Sequence, residues 1–211
     1  MLMVAESIMA LGMWVVFPPA DFVNSVEIAT VDKGGLLGDY VTQDIAIDTS
    51  CQWLGAALRV TPDSSGCVFQ HPMGSDGPSN PLWWPAWPEL EWDTIISNGS
   101  LDYGSDPWII EGAGHYLGGS DEVVFDDDLI SIVWASASAL YGELTIARVT
   151  LLDSTSGSWQ LCVNAGPAGW WHYYGGSIIN GVLMPEPAAL SAICLGVMAL
   201  LKRRNGMRLA R

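Results

Sequence analysis

The sequence predicts an all-β protein built as a single β-sandwich. Short runs rich in Val, Ile, Leu, Thr and Trp alternate with Gly, Ser, Asp, Asn and Pro, which recur every 8 to 15 residues. No window between 26 and 184 sustains an apolar stripe at 3.6-residue spacing for three turns, so long helices are not expected there. Many short strands separated by turn residues are typical of a sandwich or barrel.

Eight segments of the body carry strand signals. The segment 40–47 (YVTQDIAI) alternates polar and apolar residues, as a half-buried strand does. The segment 135–140 has a helix-like composition but is too short to count as a helix. The body, 26–184, is long enough for one domain with a sizeable core. The predicted strands are 26–31, 40–47, 54–60, 67–70, 130–135, 144–152, 159–163 and 177–183.

One stretch, 71–92, differs from the rest in holding five prolines and four tryptophans. The prolines exclude a central strand, because each removes a ladder hydrogen-bond donor. Loops of this length are functional or disordered, and four tryptophans argue against disorder. We therefore expect a long ordered loop that crosses the sandwich and is pinned by Trp83, Trp84, Trp87 and Trp92.

The charge of the chain is strongly asymmetric. Against 23 Asp and Glu stand eight Lys and Arg, and five of those eight follow Leu201. An acidic body repels nucleic acid, because phosphate binding needs Lys and Arg, so no nucleic-acid partner is expected. This charge asymmetry, with a basic C-terminal tail on an acidic body, is expected of a protein whose two parts have different destinations.

The C-terminal segment 185–211 combines three elements in fixed order. Pro185, Glu186 and Pro187 are followed by an uncharged apolar run, 188–201, and then by Lys202, Arg203 and Arg204. The prolines stop a preceding strand, the apolar run can enter a bilayer, and the cations stay on the cytoplasmic side. The run is 14 residues long, and as a helix it reaches about 21 Å, whereas a full span needs about 20 residues.

This arrangement closely resembles the PEP-CTERM sorting signal of Gram-negative and related bacteria. The resemblance implies a protein that is exported, held transiently in the inner membrane by a C-terminal transmembrane helix, and processed near Pro-Glu-Pro by an exosortase-type enzyme. It implies a final location at the cell surface or in extracellular polysaccharide. The short apolar run favours a transient anchor over a permanent one, and a C-terminal core helix with a basic end is the alternative.

The N-terminal segment 1–25 carries a weaker signal. Residues 7–17 (SIMALGMWVVF) form an apolar run of the length of a signal-peptide core. Small residues at Val23 and Ser25 suit cleavage before Val26, and Ala20 is an alternative cleavage point. A positive n-region is missing, which leaves a first buried strand or helix as the other reading.

Three phrases of the body also resemble a group of planctomycete-type surface proteins of unknown function. They are 48–58 (DTSCQWLGAAL), 87–94 (WPELEWDT) and 147–152 (ARVTLL). Such chains often end in a PEP-CTERM tail or a dockerin. By analogy the resemblance favours a cohesin-like or immunoglobulin-like jelly roll, and it implies no known activity.

The four cysteines are expected to lie in different parts of the protein. Cys194 lies in the apolar tail, and Cys51 and Cys67 flank a predicted strand and turn. In an exported protein, Cys51 and Cys67 are candidates for a disulfide that stabilises the fold by about 3 kcal/mol. Cys162 is left over and is expected to be a buried small hydrophobe.

No catalytic motif stands out, so we expect a non-enzymatic protein without a catalytic residue. His71, His115 and His172 form no HExxH motif, and no GxSxG elbow, P-loop or GxGxxG occurs. A secreted glycoside hydrolase needs two carboxylates flanking the sugar. Glu89, Glu91 and Asp93 lie beside the tryptophans and would share a face if this piece were a strand, but a solvated acidic face explains them equally.

Two binding sites remain as candidates. Asp121, Asp126, Asp127 and Asp128, with Glu122, place five carboxylates within eight positions and are candidate calcium ligands; a solvated acidic turn is the alternative. The 11 tryptophans suggest an aromatic platform that stacks on sugar rings, and Trp83, Trp84 and Trp87 are the first candidates for it. Trp170, Trp171, Tyr173 and Tyr174 are a second set, although aromatics more commonly serve as core.

Overall fold

The computed structural model describes residues 23–33, 35–166 and 170–186, without the side chains of 137–139 and 170. The all-β prediction is confirmed: within these ranges nine strands form one antiparallel sheet, with two short 3₁₀ helices and one four-residue α-helix. The strands are β1 (Val23–Val31), β2 (Tyr40–Pro62), β3 (Ile95–Ile96), β4 (Trp108–Glu111), β5 (Val124–Phe125), β6 (Ile130–Leu152), β7 (Gly157–Ala165), β8 (Trp170–Ile179) and β9 (Val182–Pro185).

Two strands of 23 residues each, β2 and β6, run through the whole sheet. They pair with each other from Tyr40↔Leu152 at one end to Val60↔Ile130 at the other. The sequence predicted each of them as two separate strands. The predicted strand 67–70 is only an isolated bridge between Val68 and Leu151, and the predicted strand 177–183 spans the turn between β8 and β9.

A bend in β2 explains why the sequence pattern is interrupted there. The register of β2 against β6 shifts between Thr49 and Trp53 and again before Gly55. Beyond the bend the strand doubles back, because Tyr40 pairs with Leu152 while Pro62, at the other end of β2, pairs with Gly157. Both ends of β2 therefore lie at the same end of the molecule.

Trp53 and Gly55 form the inside of this bend. The Trp53 ring is fully buried, and its indole N–H donates to the Gly55 carbonyl at 2.8 Å. A Cβ at Gly55 would lie 2.4 Å from the Trp134 carbonyl oxygen on β6. Only glycine therefore lets the two bent strands approach so closely.

The bend divides the sheet into two halves that share one core. The first half-sheet contains β1, residues 40–49 of β2, residues 142–152 of β6 and β3; the second contains the other parts of β2 and β6 with β4, β5, β7, β8 and β9. One hydrophobic cluster includes Ile45 and Val149 from the first half with Leu58 and Trp159 from the second. Alternate residues of each strand point into this cluster.

The last two strands form a tight hairpin. Ile179 pairs with Val182, and the two-residue connection is Asn180-Gly181, both with positive φ. Asn-Gly is the preferred sequence for this turn, because its backbone twist matches that of the strands. Across the described residues, no helix is long and apolar enough to cross a membrane, and the segment 188–201 lies outside them.

Candidate functional site

The tryptophan-rich loop is ordered as expected, but as two short 3₁₀ helices, Pro81–Trp83 and Pro88–Trp92. The Asn80 side chain caps the first helix by accepting from the Leu82 N–H at 3.0 Å. The Trp83 carbonyl accepts from the Trp87 N–H at 3.0 Å, which closes a helical turn between the two helices. Residues four apart in such a turn lie on the same side of the chain.

The three candidate platform tryptophans are not equivalent. Trp83 is 46% exposed and Trp87 is 40% exposed, and Leu82 beside them is more exposed still. Trp84 is half-buried, and its indole N–H donates to the Ser79 hydroxyl at 3.0 Å. The structure therefore offers Trp83 and Trp87 to solvent, whereas Trp84 holds the loop together.

The fourth tryptophan of the loop, Trp92, fastens the loop to the sheet. Its ring is buried, and the Arg148 guanidinium lies 5.2 Å from the ring centroid. Arg148 makes two hydrogen bonds to the Asp44 carboxylate, at 2.7 and 2.9 Å, and a third to the Glu91 carbonyl at 2.7 Å. Such a bidentate arginine–carboxylate pair is the strongest geometry for an ion pair.

A row of threonines continues this attachment. The Thr150 hydroxyl donates to the Trp92 carbonyl at 2.6 Å and lies 2.9 Å from the Thr42 hydroxyl. The Thr94 hydroxyl accepts from the Thr150 N–H at 3.0 Å. The segments 87–94 and 147–152 are therefore in contact, and the hydrogen bonds between them hold the loop on β6.

Asp93 lies at the centre of this attachment and is only 1% exposed. Its Oδ1 accepts from the N–H groups of His71 and Thr94, at 2.9 and 3.0 Å. Its Oδ2 is buried and has no hydrogen-bond partner among the described residues. The pKa of Asp93 is raised to about 7, mainly because burial disfavours the charged carboxylate; the Asp76 carboxylate also raises it, whereas the N–H groups of His71 and Thr94 lower it. In the sequence Asp93 stands out only together with Glu89 and Glu91, as a carboxylate beside the tryptophans, and nothing there indicates its burial.

Glu89 and Glu91 do not share a strand face with Asp93. All three residues lie in or directly after the second 3₁₀ helix rather than in a strand. Both glutamates are half-buried, whereas Asp93 points inward. The geometry on which the hydrolase alternative depends is therefore not present in this segment.

The predicted disulfide between Cys51 and Cys67 is wrong, because both thiols are free. Cys51 lies in the bend of β2, whereas the Cys67 carbonyl bonds to the N–H of Leu152, at the Tyr40 end of the strand. At about 3.3 Å per residue these places are roughly 30 Å apart, and a disulfide needs Cα atoms within about 7 Å. Cys162 is buried as expected, and burial raises its pKa to about 11.

The acidic run 121–128 forms turns rather than a converged ligand set. Asp126 Oδ1 accepts from the N–H groups of Asp128 and Leu129, and Asp128 Oδ1 accepts from the Gly66 N–H at 2.7 Å. Asp121 and Asp127 are exposed. Throughout the described ranges, no group of three His, Cys, Asp or Glu side chains is close enough to hold a metal ion.

The three histidines lie on separate elements. His71 lies in the long loop, His115 in the short helix α1 (Gly114–Leu117) and His172 on β8. The second aromatic set is also divided: Tyr116 of α1 lies 4.3 Å from Trp171 between ring centroids, and Tyr173 is exposed. The Trp170 side chain lies outside the described atoms.

The described fold ends at the Pro-Glu-Pro motif. Pro185 pairs with Gly176 as the last residue of β9, and the Glu186 N–H donates to the Gly175 carbonyl at 2.9 Å. Met184, Pro185 and Glu186 are all exposed. Pro187, the apolar run 188–201 and the cations Lys202, Arg203 and Arg204 lie outside the described residues.

A groove of about 820 Å³ lies beside this junction. It passes over Gly175 and Gly176 and is lined by residues of β1, β7, β8 and β9, including Tyr173 and Glu186. In comparisons with known proteins, no protein-family model matches the chain and no curated protein is significantly similar to it.

Proposed function

We propose that this chain is a non-enzymatic, exported domain that a PEP-CTERM-type route delivers to the cell surface or extracellular matrix. The observation that carries the proposal is the position of the motif. Within the described residues the last strand, β9, ends at Pro185, and Pro185 and Glu186 are exposed. A processing enzyme therefore reaches this peptide without unfolding the core, and cleavage after Glu186 leaves every described strand intact.

The domain is proposed to be a β-sandwich of the cohesin-like or immunoglobulin-like jelly-roll kind. Its support is the bend in β2 and β6, which gives two half-sheets with a common core. The Gln43 side chain of the first half-sheet also accepts from the Leu183 N–H of the second at 2.7 Å. Contacts between residues so distant in sequence are expected where two layers face each other.

The proposed route has four stages. The chain is translocated, and the run 188–201 with Lys202, Arg203 and Arg204 arrests it in the inner membrane. An exosortase-type enzyme then cleaves near Pro-Glu-Pro, and the acidic domain is released or attached to extracellular polysaccharide. At the other end of the chain, Val23 is buried in β1, so signal cleavage at Ala20 keeps β1 whole, whereas cleavage before Val26 shortens it.

The test is to express the full chain in hosts with and without the exosortase and to measure product mass in each cell fraction by mass spectrometry. We expect loss of the tail near Pro185 only when the enzyme is present. A chain truncated after Met184 is the control. If that truncated chain reaches the same location with the same mass as the full chain, the tail has no sorting role and the proposal fails.

A carbohydrate-binding role is the second candidate, favoured by the exposure of Trp83 and Trp87 on one helical turn. Two exposed indoles offer apolar faces to the C–H groups of pyranose rings. The net charge of −15 opposes acidic glycans, so a neutral polysaccharide is the expected ligand.

This candidate is tested by tryptophan fluorescence during titration with a panel of neutral polysaccharides. We expect a spectral shift that Trp83→Ala or Trp87→Ala removes. Trp108→Ala is the matched control, because Trp108 is 71% exposed but lies on β4 and not in the loop. A shift that survives both loop variants and disappears with the control would contradict a platform in the loop.

A further inference from the structure

A buried carboxyl, that of Asp93, joins the two ends of the tryptophan-rich loop. Asp93 is 1% exposed and directly follows the second 3₁₀ helix, Pro88–Trp92. Its Oδ1 accepts from the Thr94 N–H at 3.0 Å and from the His71 N–H at 2.9 Å. Because His71 is the first residue of the stretch 71–92, this hydrogen bond fastens the start of the loop to its far end.

The other carboxyl oxygen, Oδ2, faces the turn formed by residues 71–74. It is fully buried and has no hydrogen-bond partner among the described residues. A Cβ at Gly74 would lie 1.8 Å from Oδ2, so the glycine backbone packs directly against this oxygen. The turn is closed by a hydrogen bond of 2.7 Å from the Gly74 N–H to the His71 carbonyl and by one of 3.1 Å from the Met73 N–H to His71 Nδ1. Oδ2 therefore meets main chain rather than water.

Among the described residues, Asp93 has no cationic partner. The Arg148 guanidinium is bound to Asp44. His71 Nδ1 accepts a hydrogen bond, so that ring is not a cation. The Asp76 carboxylate repels a charge on Asp93 and raises its pKa. The titratable and charged groups of the surrounding elements are His71 and Asp76 on the loop, Glu89 and Glu91 on the second 3₁₀ helix, and Arg148 and Asp44 on the strands.

An ionised carboxylate is strongly disfavoured where one of its oxygens has neither water nor a donor, whereas the un-ionised form costs far less. Movement of the turn away from Oδ2 would hydrate this oxygen and remove the penalty. We propose that Asp93 and the turn 71–74 form a pH-sensitive latch: the turn closes over the un-ionised carboxyl in acid, and it opens more readily toward neutral pH as the carboxyl gives its proton to water. The Arg148 attachment is separate, so the latch frees only the start of the loop.

The direction of the pH effect follows from the pKa of Asp93 in the two states. In the closed turn burial raises this pKa from 3.8 to about 7, whereas a hydrated carboxyl in the open turn returns to its ordinary value. The closed turn is therefore most stable below pH 3.8, and this stability is lost as the pH rises through about 7. The equilibrium constant for opening should rise about tenfold per pH unit between about pH 4.5 and 6.5, and it should level off above about pH 7.5.

The test is NMR-detected hydrogen exchange of single amides in the full chain, with each rate corrected for the intrinsic effect of pH on exchange. From the His71 and Gly74 amides, we expect an opening constant that rises by roughly 50-fold between about pH 5 and 7.5. The Gly112 amide is the control, because it bonds to the Asp121 carbonyl at 2.9 Å in another loop. Its opening constant should show no such rise.

Two variants separate a latch from a simple loss of stability, because they should have opposite effects. Asp93→Asn cannot ionise, so the His71 and Gly74 amides should stay protected at every pH. Gly74→Ala places a Cβ against Oδ2 and should hold the turn open, so that protection is low at every pH. This second variant leaves Asp93 in place and stays informative even if Asp93→Asn does not fold.

Three results would overturn the proposal. The first is a wild-type opening constant that does not change between about pH 5 and 7.5. The second is an Asp93→Asn variant that keeps the rise, which would assign the pH effect to another group. The third is exchange of the His71 and Gly74 amides that is as slow as that of the buried amides of β7, because the turn would then open only when the whole sheet unfolds.

Discussion

Replacing Arg148 by methionine tests whether one side chain attaches the long loop to the sheet. The change removes two hydrogen bonds to Asp44, one to the Glu91 carbonyl and the contact of the guanidinium with the Trp92 ring. Methionine keeps much of the apolar length of the side chain. The loss is therefore mainly electrostatic, and the Asp44 carboxylate remains without its partner.

The expected size follows from the burial of the pair. The Arg148 side chain is 11% exposed and that of Asp44 is 21% exposed, so neither charge is fully screened by water. Breaking a buried pair by removing one partner costs about 3–5 kcal/mol. In a domain of this size each kcal/mol lowers Tm by about 2–4 °C, so we expect Tm to fall by roughly 10 °C.

Urea unfolding and limited proteolysis measure this effect. The free energy of unfolding should fall by about 3 kcal/mol or more, and cleavage should begin in the loop 71–92 before the sheet is attacked. The double variant Asp44→Asn/Arg148→Met should lose less than the sum of the single changes, because it leaves no unpaired charge. A loss below about 1 kcal/mol for Arg148→Met, with an unchanged cleavage pattern, would refute the attachment by this arginine.

Three further predictions concern other parts of the fold. Raising the pH from about 4 to 7 should remove about 3 kcal/mol of the contribution of Asp93 to the free energy of unfolding, because the pKa of Asp93 rises from 3.8 to about 7 on folding and the folded state binds the proton more tightly; Asp93→Asn should flatten this part of the urea-measured pH profile. Gly55→Ala should cost more than about 2 kcal/mol in urea unfolding, since its Cβ would collide with the Trp134 carbonyl of β6, and a neutral result would contradict the close approach at the bend. Dithiothreitol should leave Tm unchanged, because Cys51 and Cys67 are free; a fall in Tm would show that a disulfide forms after all.

The fold class could be predicted because strand signals are local. Runs such as 130–135 and 144–152 carry β-branched and apolar residues, and both lie within β6. Their union into one strand could not be predicted, since the bend that joins them depends on the fit of Trp53 and Gly55 against the Trp134 carbonyl. In the sequence such a bend looks like a break between strands.

The candidate site, like the fold, could be predicted from the sequence only in part. Proline and tryptophan composition predicted an ordered loop, because composition determines whether a segment can pack. Composition does not determine which tryptophans pack, and Trp83 and Trp84 differ in exposure although they are neighbours. The disulfide prediction failed for a related reason: the spacing of Cys51 and Cys67 carries no information on the direction of the chain between them.

Pro185 serves the sheet as well as the proposed sorting motif. The Glu186 N–H bonds to β8, and since backbone polar groups alternate in direction along a strand, those of Leu183 and Pro185 point to the outer edge. The Leu183 N–H is occupied by Gln43, and proline has no N–H. Along the described length of β9, the outer edge therefore offers no free donor to another strand, which is a recognised protection against edge-to-edge association. If the domain is exported and freed from its tail at this point, the outer edge of β9 still lacks a free N–H donor for pairing with another strand.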